Sequence, residues 1–443
     1  MPAFPLLDRA AGAVLFRSRD TVWTGADFLA DVAALARALP EAPWLVNGCE
    51  NRYWFAAVLA AGVLRGQPNL LTGDVSATTL GLLARLYPGA VHVVDRAAPD
   101  GPLPFHRVAM GHSPRGENDP AVMPMISGDR LAAVVFTSGT TGEPAAHLKS
   151  WGGLVERTRA AGLRFGFTED APVTVIGTVP PQHMYGFETT LLLPLHAAAA
   201  GWVDTVFWPA DVRAVLAAAP APRVLITTPL HLRALVDTVL PVPPGMVISA
   251  TAPLPVALAE AAERAWGTEV HEIFGATEVG SIASRRTVRD AHWTAYPGIT
   301  LRHTADAILI EAPFLEPRRL SDDIERLDAH RFRLIGRGGD LIKLGGRRAS
   351  HAGLNHILTR IEGVEDGVFV VPPDLEGRPP ARLTAVVVAP GLTASAILAA
   401  LRGRIDAVFL PRRIVHVAAL PRNAVGKLTH EALHALLNSM NQE

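Results

Sequence analysis

Residues Ala132 to Phe136, Ala-Ala-Val-Val-Phe, form a short apolar run that reads as a buried strand. The run passes directly into Thr137-Ser138-Gly139-Thr140-Thr141-Gly142. Gly139 and Gly142 let the backbone turn tightly and approach a ligand closely. Thr137, Ser138, Thr140 and Thr141 supply hydroxyls beside backbone N–H groups that can form an anion-binding concavity. A loop of this make-up after a central strand suits phosphate. Six residues of the same composition also make an ordinary turn between two elements, so other stretches must decide. A Walker loop is excluded, because the glycine before Lys149-Ser150 and the four-residue spacer are missing.

The rest of the chain alternates between strand-like and helix-like patterns. Ala26 to Leu39 and Tyr53 to Leu64 have helical apolar spacing, as does Val256 to Trp266. Val173-Thr174-Val175-Ile176, Val224-Leu225-Ile226-Thr227 and Met246-Val247-Ile248 read as buried strands. That order predicts an α/β fold, a parallel or mixed sheet covered by helices, with ligands at the carboxyl ends of its strands. Asp95 to Asp129, rich in Pro and Gly, is expected to be a surface loop. No repeat of solenoid period is visible.

The 443 residues allow one large domain plus a small one, or three by length alone. An apolar share of 49% and a charged share of 19% suit a soluble protein with a sizeable core. A net charge of −1 argues against nucleic acid bound through broad electrostatics. The single cysteine, Cys49, excludes an internal disulfide framework and fits a reducing cytoplasm. No secretory signal is evident at the N-terminus, and Leu191 to Trp208 is too broken by Pro194, His196 and Asp204 to span a bilayer. Of the 41 basic residues only Lys149, Lys343 and Lys427 are lysines. A chain that otherwise uses arginine keeps lysine where a compact ammonium is needed.

Thr137 to Pro144, TSGTTGEP, resembles the signature loop of the adenylate-forming superfamily: acyl- and aryl-CoA ligases, luciferases and peptide-synthetase adenylation domains. In that family a lysine follows the proline. Here Ala145 follows, so the phosphate contact is absent or moved, with Lys149 the candidate. Pro180 to Gly186 resembles the family segment whose histidine, here His183, gates the acyl pocket and the thiol tunnel. Amino-acid-activating relatives carry an aspartate nearby to pair the substrate's α-ammonium, and none stands between Val179 and Phe187. A substrate without an α-amino group is expected. Ser249 to Pro255 resembles the glycine-glycine-alanine-proline stretch between acyl pocket and adenine, with Ala250 and Thr251 replacing the glycines and Ala252 set towards the nucleotide. Ile273-Phe274-Gly275-Ala276-Thr277-Glu278 is similar to the family's tyrosine-glycine-x-threonine-glutamate. The resemblance implies that Phe274 stacks on the purine beside Gly275, Thr277 bonds the α-phosphate and Glu278 holds Mg²⁺.

Arg331 to Ala349 resembles the family hinge. Asp322 stands where the family has the aspartate that holds the ribose hydroxyls, with Asp323 a close alternative. Arg337 matches the arginine that contacts ribose or phosphate, and Gly339 falls at the pivot. Lys343, Gly345 and Gly346 belong to the loop expected to line the thiol channel. Leu420 to Lys427 resembles the terminal glycine-lysine motif, which makes Lys427 the expected catalytic ammonium. The resemblance spans residues 45 to 435. It implies an N-terminal adenylation domain, residues 1–337, of helix-covered mixed or parallel sheets, and a small α+β mobile lid, residues 338–443. The implied reaction joins a small carboxylic acid to CoA or to the phosphopantetheine arm of an acyl carrier protein, using Mg·ATP and forming AMP. A nucleotide-binding protein without turnover, suggested by Ala145, is the alternative. His430-Glu431-Ala432-Leu433-His434 spells HExxH, but only Glu443 follows as a side-chain carboxylate for a third zinc ligand. An amphipathic final helix, docked through Leu433, Leu436 and Leu437, is expected instead.

Overall fold

A computed structural model of the protein describes residues 2–97, 101–109, 123–137, 145–204, 206–304, 308–320, 322–337, 341–344, 347–371, 383–422, 428, 432–433 and 435–436. The chain forms two compact units. One comprises Met1–His303 with Leu309–Arg318, the other Thr304–Ile308 with Arg319–Glu443. The sequence reading divides the chain between Arg337 and Gly338, whereas the hairpin Asp322–Arg326/Arg331–Arg337 groups with the second unit, where the helix His351–Thr359 packs on it.

In the first unit, six strands run parallel: Val14–Arg17, Ala199–Trp202, Val173–Gly177, Arg223–Thr227, Met246–Ser249 and Glu269–Ala276. Val173–Gly177 and Ala199–Trp202 are buried at every residue because both faces of the sheet are covered there, whereas Glu269–Ala276 carries Glu269, His271 and Glu272 among its apolar residues. The helix Val256–Trp266 lays Leu258, Ala259, Ala262 and Trp266 against Val247 and Val270 of this sheet. That is the one-face spacing expected of it. Gly280–Arg286 then turns back antiparallel beside Glu269–Ala276.

A second sheet in this unit orders its strands Ala145–Ser150, Leu131–Thr137, Asn69–Leu71, Leu45–Asn47, Val91–Val94 and Phe105–Arg107. The helix Arg52–Arg65 touches strands of both sheets and is buried from Arg52 to Val63. A helix apolar on every side belongs in such a place. Cys49, just before it, has no exposure, and burial together with Asp95 pushes its thiol pKa up.

Part of the expected Asp95–Asp129 loop is strand. Phe105–Arg107 pairs with Val91–Val94, and Met125–Ser127 with Ala3–Pro5. Three-residue strands are too short to show a period in sequence.

The second unit is α+β. Asp366–Val370, Thr384–Val388 and Arg413–His416 form its sheet, and the helices His351–Thr359 and Ala394–Leu401 bury Leu354, Leu358, Ile397 and Leu401 in one core with Phe369 and Val387. Leu433 is buried with Val368, Val386, Val415 and Leu420, and Leu436 packs beside them. His430, Glu431, His434 and Leu437 lie outside the described residues. No described helix is long and apolar enough to cross a membrane.

Candidate active site

The strands Leu131–Thr137 and Ala145–Ser150, on either side of the loop expected to bind phosphate, pair antiparallel, with Thr137 opposite Ala145 and Ala133 opposite Lys149. Ser138, Gly139, Thr140, Thr141 and Gly142 themselves lie outside the described residues. Lys149 is only 7% exposed, and its Nζ donates to the Thr277 carbonyl at 2.5 Å. Burial pushes its pKa down to about 8, against the opposing attraction of Glu188 and Glu278. Lys149 therefore ties the strand Ala145–Ser150 to the turn carrying Thr277 and Glu278.

That turn, Thr277 to Val279, follows the last parallel strand at its carboxyl end, where open α/β sheets place their ligands. The hairpin is tight. A Cβ on Gly275 would stand 2.5 Å from the Gly280 carbonyl oxygen, and Gly280 has φ +93°. Thr277 and Glu278 are half-buried. Phe274 is also half-buried, its ring centroid 5.5 Å from that of Trp293. Among the described residues no group of three or more His, Cys, Asp or Glu could hold a metal. A single carboxylate fits Mg²⁺ carried on ATP, which is held by one or two carboxylates, waters and substrate phosphates.

His183 precedes the short turn Met184–Gly186 and leads into the buried π-helical turn Phe187–Leu192. Its Cε1 lies 3.6 Å from where a Cβ on Gly73 would stand. Tyr185 donates its hydroxyl to the Ile248 carbonyl at 2.8 Å. The neighbouring stretch holds Thr251 at φ +80°, with Ala252 half-buried.

Two groups escaped the sequence reading. Arg52 has no exposure and donates to the carbonyls of Gly177 at 3.0 Å, Val179 at 2.7 Å and Asp204 at 2.5 Å, and to Thr190 Oγ1 at 3.1 Å. Burial lowers its pKa to about 10. It fixes the path from the Val173–Gly177 strand into the His183 segment. A charge opening an otherwise apolar helix was the available signal. Glu188 is the second. Ser281 donates to it from its backbone N–H at 3.0 Å and from its hydroxyl at 2.5 Å, and burial raises its pKa.

In the second unit, Asp322 is the register partner of Arg337, and Asp323 that of Gly336. Lys343 lies on the strand Leu341–Leu344 opposite Arg348. Gly339, Gly345, Gly346 and Lys427 lie outside the described residues.

The sequence profile of the AMP-binding enzyme family matches residues 74–314. Over 300 residues the chain is 32% identical to a 4-coumarate–CoA ligase of Rhodobacter capsulatus, covering 67% of this chain and 74% of that protein. Among solved structures it is similar to ATP-bound MatB from Rhodopseudomonas palustris, with a TM-score of 0.82 and 19% identity over 98% of each chain. It is also similar to the O-succinylbenzoate–CoA synthetase MenE of Bacillus subtilis in complex with ATP and magnesium. There the TM-score is 0.78 and the identity 17%, over 95% of this chain and 96% of that one. At these identities the structural likeness speaks for the fold.

Proposed function

The chain belongs to the AMP-binding enzyme family, and on that premise we propose that its substrate is a flat aryl or short unsaturated carboxylic acid. The enzyme is an AMP-forming acid–thiol ligase that uses ATP, Mg²⁺ and CoA. The carboxylate attacks the α-phosphorus and pyrophosphate leaves; a thiol then attacks the acyl carbon and AMP leaves. Thr277 holds the α-phosphate, and Glu278 holds the Mg²⁺ that neutralises phosphate charge. Asp322 and Arg337 take the ribose, and His183 gates the acid. The observation that carries this assignment is the Lys149–Thr277 hydrogen bond, which joins the phosphate-loop hairpin to the turn bearing Thr277 and Glu278.

The acid class rests on three supports. The 4-coumarate–CoA ligase of Rhodobacter capsulatus is a relative. Ala250 and Thr251 take more space than two glycines. Glu188, the carboxylate nearest to His183 in sequence, is engaged by Ser281 and so is not placed to pair an α-ammonium. A carrier-protein phosphopantetheine is the competing acceptor to CoA.

Carboxylate-dependent exchange of labelled pyrophosphate into ATP, run over aryl, fatty and amino acids, tests the proposal. Exchange with cinnamate- or benzoate-type acids is expected. Exchange with α-amino acids alone would overturn the acid class, and silence with ATP binding intact would point to a nucleotide binder without turnover. Adding CoA or a phosphopantetheinylated carrier then identifies the acceptor from the thioester formed.

A further inference from the structure

The Thr277–Ser281 turn is gripped at both ends by buried charge. Lys149 Nζ holds the Thr277 carbonyl on one side. On the other, Glu188 takes two hydrogen bonds from Ser281, whose carbonyl accepts from Arg157 Nη1 at 3.4 Å. Lys149 is 7% exposed, Glu188 and Arg157 6%. The three come from separate elements: the strand Ala145–Ser150, the turn Phe187–Leu192 and the helix Trp151–Phe165. A cavity of about 10 Å³ lined by Arg157, Glu188, Ser281 and Tyr296 has room for one water. The Tyr296 hydroxyl, buried without a protein partner, faces that need. Residues 145, 147 and 149 fall on one face of their strand, so Lys149 occupies the side that Ala145 leaves without an ammonium.

We propose that Lys149 is a positioning residue for adenylation, acting through the Thr277 carbonyl to hold the Thr277 hydroxyl and the Glu278 carboxylate in working geometry, with Glu188 holding the other end of the turn through Ser281. Four other groups bear on the Lys149 charge: His147 on its own strand, Arg157, Glu278 and Arg318. The rate arm of the test rests on the ligase reading. Protection of the turn, measured by hydrogen exchange without any acid present, does not.

The test compares wild type, Lys149→Met and Lys149→Met/Glu188→Gln. In Lys149→Met the amides of Val279 to Ser281 exchange about tenfold faster or more, as for a locally loosened segment. Pyrophosphate exchange falls about tenfold or more in kcat, with the KM for ATP near its wild-type value. The double variant removes both charges but leaves the buried Arg157 without its carboxylate, and it regains neither turn protection nor rate. Wild-type protection of the turn in Lys149→Met would overturn the proposal. So would recovery of the adenylation rate in the double variant, because the lysine would then only balance charge. If no acid supports exchange in wild type, the hydrogen-exchange arm still decides.

Discussion

Thr251 holds a backbone φ of +80°, where a β-branched residue pays about 1–3 kcal/mol. It stands in the stretch that borders the acid site by resemblance, so the strain lies where it shapes a pocket. Thr251→Gly is expected to raise the unfolding free energy by about 1 kcal/mol in denaturant titrations, and to widen the range of acids supporting pyrophosphate exchange. A variant no more stable than wild type would mean that the threonine's own interactions compensate the backbone cost. The stretch was legible in sequence, its conformation was not, because φ follows from the strand and helix it connects. Arg52 was hidden for a related reason. Its four acceptors lie from Gly177 to Asp204, and only the fold brings backbone carbonyls that distant to one guanidinium.

The hairpin Glu269–Ala276/Gly280–Arg286 carries Phe274, Thr277 and Glu278, the residues proposed to act on the nucleotide, and its geometry tolerates little. Adding a methyl at Gly275 meets the Gly280 carbonyl at 2.5 Å and the Ser281 Cα at 3.0 Å. Gly275→Ala should therefore cost about 1–3 kcal/mol of stability, as overpacking does, with adenylation falling further than stability does. Chemical denaturation and pyrophosphate exchange on one preparation check both; a variant melting and turning over like wild type would show that the hairpin yields. The parallel strands Val173–Gly177, Arg223–Thr227 and Met246–Ser249 were readable as short apolar runs and the helix Val256–Trp266 by its one-face period. Phe105–Arg107 and the π-helical turn Phe187–Leu192 showed neither. The first is too short, and the second differs from a helix in hydrogen bonding rather than in apolar spacing.

Across the whole chain, the order of motifs was legible, since each falls beside a strand or turn of recognisable pattern. The grip of Lys149 on Thr277 was not, because it joins residues 128 positions apart. We propose that Gly339 is the pivot between the two half-reactions and that Lys427 bridges the attacking carboxylate and the phosphate oxygens. Lys427→Ala should lower adenylation by about 10²–10³ while leaving ATP affinity near wild type, the signature of an electrostatic group active mainly in the transition state. Full pyrophosphate exchange in that variant would remove Lys427 from the chemistry.

The burial of Cys49 and Lys149 has one more result. An acyl-adenylate is an acylating agent, and its natural victims within a protein are thiolates and free amines. Here the only thiol has no exposure and is held protonated, and one of three lysines is sealed against a carbonyl. The burial of Cys49 and Lys149 thus withdraws two of the chain's four cysteine and lysine nucleophiles from so reactive a mixed anhydride.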